Sequence, residues 1–135
     1  MLQIYNRENT MVDVLDKIDS FTIFKEGKQI EINKENKTFN YIFSKLETIF
    51  QKGQIMPAFG VSLHNETQNA LKSDKWLQIN FREELTKNGL PFSALLFKLD
   101  SISGVDLIRL VDGKYDGRCI HLNFFEELNL KEIIN

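Results

Sequence analysis

Residues 37–52 read KTFNYIFSKLETIFQK, and they carry the strongest structural signal of the chain. Their apolar side chains recur at the spacing of one helix face, for which a turn takes about 3.6 residues. These side chains are Phe39, Ile42, Phe43, Leu46, Ile49 and Phe50. Asn36 or Thr38 is suited to cap the start, and Gly53 is suited to end the helix in the left-handed conformation. The stretch therefore predicts a long amphipathic helix that packs on a hydrophobic core.

The segments before this helix are mixed. Residues 21–25 and 28–32 are rich in β-formers, and the two-residue turn at 26–27 contains a glycine, so they predict a hairpin. Residues 11–18 have apolar side chains at helical spacing, which predicts a short helix. At the amino terminus, residues 2–5 predict a short edge strand.

The segment directly after the helix changes to strand periodicity. Residues 55–63 predict a strand, which Pro57 weakens because proline has no amide hydrogen to donate. Residues 65–72 predict a short helix or turn capped by Asn65. These two segments therefore separate the long helix from the strand-rich second half of the chain.

Strand signals dominate from there to the carboxyl terminus. Residues 76–82 alternate between apolar and polar side chains, and residues 94–99 are apolar on both faces, which is typical of a strand near the centre of a sheet. Residues 105–111 and 118–124 predict an antiparallel pair across a loop of turn formers. Residues 126–134 predict a short helix at the end.

Helices and strands are thus segregated along the chain rather than alternating. The sequence predicts an α+β fold, with a mainly antiparallel sheet, one long amphipathic helix at about 37–52 packed on one face, and short flanking helices. No linker-like stretch and no internal repeat divides the chain, so residues 1–135 are predicted to form a single globular domain.

Composition excludes several classes of function. The chain has 135 residues, of which 42% are hydrophobic and 27% charged, which is typical of a globular protein. Its formal net charge of -2 gives no electrostatic footprint for nucleic acid or for an anionic membrane. We therefore expect no direct contact with nucleic acid or membrane.

Targeting signals and cysteine content favour the cytoplasm. The single cysteine, Cys119, has no partner for an internal disulfide, as a reducing compartment permits. Residues 1–9 are too polar for a secretory signal, and the apolar run at 94–97 is far shorter than the roughly 20 residues of a membrane span. The sequence predicts a soluble, cytoplasmic protein.

Catalytic, cofactor and metal signatures are weak. The glycines form no phosphate-binding motif, and the histidines, His64 and His121, form no pair at ligand spacing. Cys119 and His121 would share a face of one strand, with Asp106 across the hairpin, and this group is the best candidate for a metal site or an activated thiol. A buried, inert cysteine is the commoner outcome. We expect no catalytic residue, no metal and no cofactor.

A surface argument remains. If Leu77, Ile79 and Phe81 face the core, then Trp76 lies on the other face beside polar residues. Tryptophan, arginine and histidine among amides resemble the anchors of protein interfaces. Cover of Trp76 by a loop or by the terminal helix is the slightly commoner alternative. The candidate partner-binding residues are Trp76, Arg82, Glu83, Glu84, Asp112, Asp116 and His121.

These observations favour a non-enzymatic protein-binding module. Its expected type is an inhibitory or immunity protein of bacteria that neutralises a toxin, such as a nuclease, by covering the toxin's active site. Acidic side chains would speed association with a basic partner. The alternatives are a small-molecule-binding domain with a cavity between helix and sheet, and an enzyme with dispersed catalytic residues around Cys119 and His121. The chain is expected to be a monomer or a weak homodimer that pairs through a free strand edge.

Overall fold

The computed structural model describes residues 9–57 and 60–130. A 3-10 helix spans Val12–Lys17. The elements that follow are β1 (Ile18–Lys25), β2 (Lys28–Asn33), α1 (Lys37–Lys52), β3 (Ile55–Met56), β4 (Val61–Ser62), α2 (His64–Ala70), β5 (Lys75–Lys87), β6 (Leu90–Lys98), β7 (Val105–Leu110), β8 (Gly117–Arg118) and β9 (Ile120–Leu122). No helix in the described ranges has the length and apolar character needed to cross a lipid bilayer.

The strands form one large sheet and one small one. The large sheet has seven strands in the order β2-β1-β5-β6-β7-β9-β3, and β4 and β8 pair separately. All of these pairs are antiparallel. The predicted α+β class with a mainly antiparallel sheet and a helix packed on it is confirmed. The predicted strand at residues 2–5 lies outside the described residues.

The first hairpin forms where the sequence predicts it. Lys25 pairs with Lys28 across a two-residue loop, in which Glu26 has φ 51° and Gly27 has φ 90°. Two consecutive positive φ values match the right-handed twist of the flanking strands, and glycine adopts them without steric cost. The turn thereby fixes the register of β1 against β2.

The predicted helix boundaries of α1 are correct, but the predicted role of Gly53 is wrong. The side chain of Asn36 accepts a hydrogen bond from the Thr38 amide at 2.9 Å, which caps the start of α1. Gly53 has φ -78° and ψ 132°, so the backbone is extended there and continues directly into β3. A β-carbon at Gly53 would lie 2.9 Å from the Ile49 carbonyl oxygen. Glycine is therefore required for close backbone approach and not for a left-handed turn.

Removal of the Asn36 cap should weaken α1 measurably. Asn36→Ala leaves the Thr38 amide without its acceptor, and we expect the free energy of unfolding to fall by about 1 kcal/mol in urea denaturation. Asn40→Ala is the matched control, because Asn40 is exposed within the same helix and alanine has the higher helix propensity. Equal unfolding midpoints for the two variants would show that the cap contributes nothing.

The hydrophobic core lies between α1 and one face of the large sheet. The buried side chains of α1 are Phe39, Ile42, Leu46, Ile49 and Phe50. Phe39 contacts Phe21 of β1 with 4.9 Å between ring centroids, and it stacks on the partly buried Phe43 at 6.0 Å. The apolar stripe thus packs as predicted, with Phe43 at its margin.

Three local predictions are wrong. Residues 55–63 do not form one strand, because the chain leaves the large sheet at Pro57 and only resumes pairing in β4 of the small sheet. The short helix that follows begins at His64 and not after Asn65, and no side chain at its N-cap position accepts a hydrogen bond. Residues 126–129 are not helical, and most of the predicted terminal helix lies outside the described residues.

Two further segments differ in kind or extent from the sequence pattern. Residues 12–17 form a 3-10 helix, and Ile18 already belongs to β1. The segment at 118–124 divides into β8 and β9, with Cys119 between them in neither strand. The predicted antiparallel pairing of this region with β7 is confirmed through β9.

Candidate functional site

The site lies on the face of the large sheet opposite α1. Trp76 of β5 pairs with Lys98 of β6, and Asp106 of β7 pairs with His121 of β9. Leu96 pairs with Ile108, each two residues along its strand from Lys98 and Asp106, so all of these side chains share one face. The alternation in β5 correctly predicts Trp76 on the face away from the α1 core.

A second layer covers part of this face. Leu71, directly after α2, packs in a small apolar cluster with Phe24, Leu96 and Tyr115. The Tyr115 hydroxyl donates to the Gln78 side chain at 2.6 Å, and the Ser62 hydroxyl donates to the Tyr115 carbonyl at 2.7 Å. These bonds fix the loop after β7 and the small sheet against the large one.

An open groove of about 380 Å³ remains between the two layers, and we call it the Trp76 groove. Its lining residues are Gly60, Val61, Ser62, Leu63, Glu66, Thr67, Ala70, Trp76, Lys98, Ser101, Val105, Asp106, Ile108 and Cys119. The indole Nε1 of Trp76 donates to the Ser73 carbonyl at 3.2 Å, which holds the ring in place. Val61 is 67% exposed and Leu63 is 54% exposed, so two large apolar side chains line the groove in contact with water.

The groove carries more negative than positive charge. Asp106 accepts a hydrogen bond from His121 Nδ1 at 2.8 Å, and a β-carbon at Gly60 would lie 2.7 Å from Asp106 Oδ2. The absence of a side chain at Gly60 thus lets β4 approach this carboxylate. Lys98 pairs with Asp74 at 3.4 Å and with Asp100 at 3.7 Å, so its charge is already balanced by two carboxylates.

The Cys119 thiol lies at the base of the groove and is 4% exposed. Burial raises the pKa of this thiol, and the charge of Asp106 raises it further; a hydrogen bond with Ser62 and the charge of Arg109 oppose both effects. A raised pKa keeps the sulfur protonated at neutral pH, whereas a nucleophilic cysteine needs the thiolate. The arrangement therefore does not activate Cys119.

The raised pKa values predict alkaline destabilisation. Burial raises the pKa of both Cys119 and Tyr115, so the folded chain keeps protons that the unfolded chain releases. Their contribution to stability is complete below the ordinary cysteine pKa of 9.0 and falls as the pH rises above it. In urea denaturation we expect the free energy of unfolding to drop above that pH, by at most about 1.4 kcal/mol per pH unit for each group. Cys119→Ala should reduce the slope, and an unchanged slope would contradict the assignment to the thiol.

The structure brings only some of the sequence-predicted residues to the groove. Trp76 lines it, His121 contacts it through Asp106, and Asp116 accepts a hydrogen bond from the His64 amide at 2.6 Å, where α2 begins. Of the predicted candidates, these three lie at the groove or beside the layer that covers this face of the sheet. The strand register explains why Trp76 and His121 lie on the same face.

The remaining candidates lie elsewhere. Arg82 donates to the Asp16 carbonyl, and Glu83 pairs with Lys17 at 3.3 Å, both at the end of the 3-10 helix. Arg82 is six residues along β5 from Trp76, or about 20 Å of extended chain. Glu84 is exposed beside Glu83, and Asp112 has φ 50° in the turn after β7. Within the described part of the chain, no hydrogen bond or ion pair joins any of these four residues to Trp76.

The sequence pattern does not indicate Val61, Leu63 and Glu66 as residues of a site. Apolar residues in a predicted strand are expected to face a core, and nothing local shows that β4 pairs only with the two-residue β8 outside the large sheet. A larger groove of about 700 Å³ lies at the ends of β1, β5 and β6, but none of the sequence-predicted candidates lines it.

Two further properties of the site concern possible metal ligands and similarity to known proteins. Within residues 9–57 and 60–130, no three side chains of histidine, cysteine, aspartate or glutamate are grouped as a metal ion requires. Comparison of the chain with family models, with curated proteins and with solved structures found no match.

Proposed function

We propose that this chain is a non-enzymatic protein-binding module that holds its partner at the Trp76 groove. The observation that supports the proposal is the exposure of Val61 and Leu63 beside the only tryptophan of the chain. Apolar side chains that are exposed side by side mark interaction surfaces, and tryptophan contributes strongly to protein interfaces. A partner that covers these three side chains would remove them from water together.

The proposed role of the module is inhibitory: it neutralises its partner by covering the partner's active site. A bacterial, cytoplasmic setting is proposed, in which the partner is a toxin domain such as a nuclease. The excess of carboxylates around the groove supports a partner with a basic surface, since nucleases bind a polyanion and opposite charges speed association.

The two alternative functions have weaker support. His121 does lie beside a carboxylate, but the neighbouring Cys119 is protonated at neutral pH, so the pair lacks an activated nucleophile. A ligand cavity between α1 and the sheet would need space where Ile42, Leu46 and Phe50 are completely buried. Neither alternative accounts for the exposed apolar residues of the groove.

A display selection tests the proposal. Fragments of the host genome are displayed, selected on the wild-type chain, and then measured against a Val61→Asp/Leu63→Asp variant. We expect binding to weaken by about tenfold or more, because two charges replace apolar contacts in the interface. Met56→Asp is the matched control, because Met56 is 40% exposed and does not line the groove. Fragments that bind all three chains equally would refute the groove as the binding surface.

A further inference from the structure

The backbone of β4 has a free edge at the groove. The Cys119 amide donates to the Gly60 carbonyl at 2.9 Å, so the backbone groups of Gly60 point toward the strand that holds Arg118. Successive residues of a strand direct these groups to opposite edges, so the N–H and C=O of Val61 point away from β8. In the described part of the chain, no strand pairs with that second edge of β4.

Charge at the groove favours a basic occupant. Glu66 and Asp106 line it, and the one lining ammonium, on Lys98, already faces two carboxylates outside the groove. Glu66 is exposed and lies in the first turn of α2. Asp106 already bonds to His121, whereas Glu66 forms no ion pair within the described residues. An occupant with lysine or arginine side chains would be attracted to these two carboxylates, and an acidic occupant would be repelled.

We propose that the Trp76 groove takes an extended, basic segment of a partner protein, which adds a strand to the free edge of β4. The backbone of the segment pairs with Val61, and its apolar side chains contact the exposed Val61 and Leu63 on one face of the added strand. Its basic side chains, on the other face, point toward the large sheet, where Trp76 and Asp106 line the groove with Glu66. This mode combines main-chain hydrogen bonds for affinity with side-chain contacts for specificity. The inference rests on the proposed function and specifies the chemistry of the partner.

Trp76 supplies the readout for the first experiment, because it is the only tryptophan. Its fluorescence is recorded while the wild-type chain is titrated with a synthetic peptide of alternating valine and lysine, about nine residues long. A matched peptide of alternating valine and glutamate is the control. We expect a saturable change with the basic peptide only, which weakens as salt screens the charges. Equal responses to both peptides, tighter binding of the acidic one, or a change caused by self-association without peptide would overturn the proposal.

Methylation of the peptide backbone tests strand pairing without altering the protein. Two versions of the basic peptide carry N-methyl groups, one on the odd-numbered residues and the other on the even-numbered residues. Each version therefore lacks the backbone N–H groups along one edge of the peptide strand. We expect one version to bind at least about tenfold more weakly and the other to bind normally, because only one edge of an added strand faces β4. Equal binding of the two versions would show that no strand is added.

The role of Glu66 is tested by Glu66→Gln, which retains the size and removes the charge. We expect weaker binding of the valine-lysine peptide and a smaller salt dependence, while Glu47→Gln on the exposed face of α1 should have neither effect. If the display selection recovers groove-dependent fragments that are acidic or bind as helices, the proposed function stands and this inference fails. If no fragment depends on Val61 and Leu63, the proposed function itself fails.

Discussion

Phe50→Ala is expected to lower the free energy of unfolding by about 3–5 kcal/mol. Phe50 lies in the last turn of α1 and is completely buried against the large sheet. Truncation removes most of a large apolar side chain from the core and leaves a cavity that the rigid sheet cannot fill. For a chain of this size, such a loss is a large fraction of the total stability. Urea denaturation, followed by far-ultraviolet circular dichroism, measures it.

Phe43→Ala is the matched control for Phe50→Ala. Phe43 belongs to the same helix and the same apolar stripe, but it is only partly buried and contacts Phe39 at the margin of the core. We expect its truncation to cost clearly less, about 1–2 kcal/mol, because part of the ring is already in water. If both variants lost the same stability, the packing of α1 on the sheet would differ from the structure described here.

Much of the fold follows from local sequence patterns. The α1 stripe, the Asn36 cap and the Glu26-Gly27 turn each depend on residues that are close in sequence, and each prediction is confirmed. Alternation in β5 also correctly separates Leu77 from Trp76 on opposite faces. The spacing of apolar residues and the residue types at a turn are local properties of the sequence. They can therefore be recognised without knowledge of the fold.

The groove depends on contacts that are distant in sequence. Gly60 approaches Asp106, and Ser62 bonds to Tyr115, across separations that no local pattern encodes. Hairpin geometry predicts Asp106 across from His121, and the register confirms it. The exposure of Val61 could not be anticipated, since a valine in a strand is normally buried and only the pairing of β4 outside the large sheet reverses this.

The two faces of the sheet therefore have different roles. One face packs against α1 and accounts for most of the core, whereas the other supports α2 and the small sheet that frame the groove. A core variant such as Phe50→Ala should reduce stability without changing the groove side chains, provided the chain is still folded at the temperature of the assay. The small sheet depends instead on one buried arginine.

Arg109→Met is expected to lower the free energy of unfolding by about 3 kcal/mol and to loosen the small sheet. Arg109 is 7% exposed; its Nε donates to the Arg118 carbonyl and its Nη1 to the Pro91 carbonyl, both at 2.7 Å. Burial lowers the pKa of Arg109, but a guanidinium stays charged at neutral pH, so both are charge-assisted bonds. Methionine fills similar space and leaves both carbonyls without their donor.

Arg118→Met separates this effect from a general loss of charge. Arg118 is exposed and contributes its carbonyl to Arg109, so truncation of its side chain should change stability by less than about 0.5 kcal/mol. Arg109→Lys should be intermediate, because one ammonium cannot reach both carbonyls with the geometry of a guanidinium. Because Arg118 lies in β8 and pairs with Val61, hydrogen exchange in Arg109→Met should quicken at β8 and β4 before it does at β5 and β6. Equal unfolding midpoints for Arg109→Met and Arg118→Met would mean that the buried guanidinium does not hold the small sheet in place, and the bonds of Tyr115 and Ser62 and the apolar cluster around Leu71 would then have to support the groove.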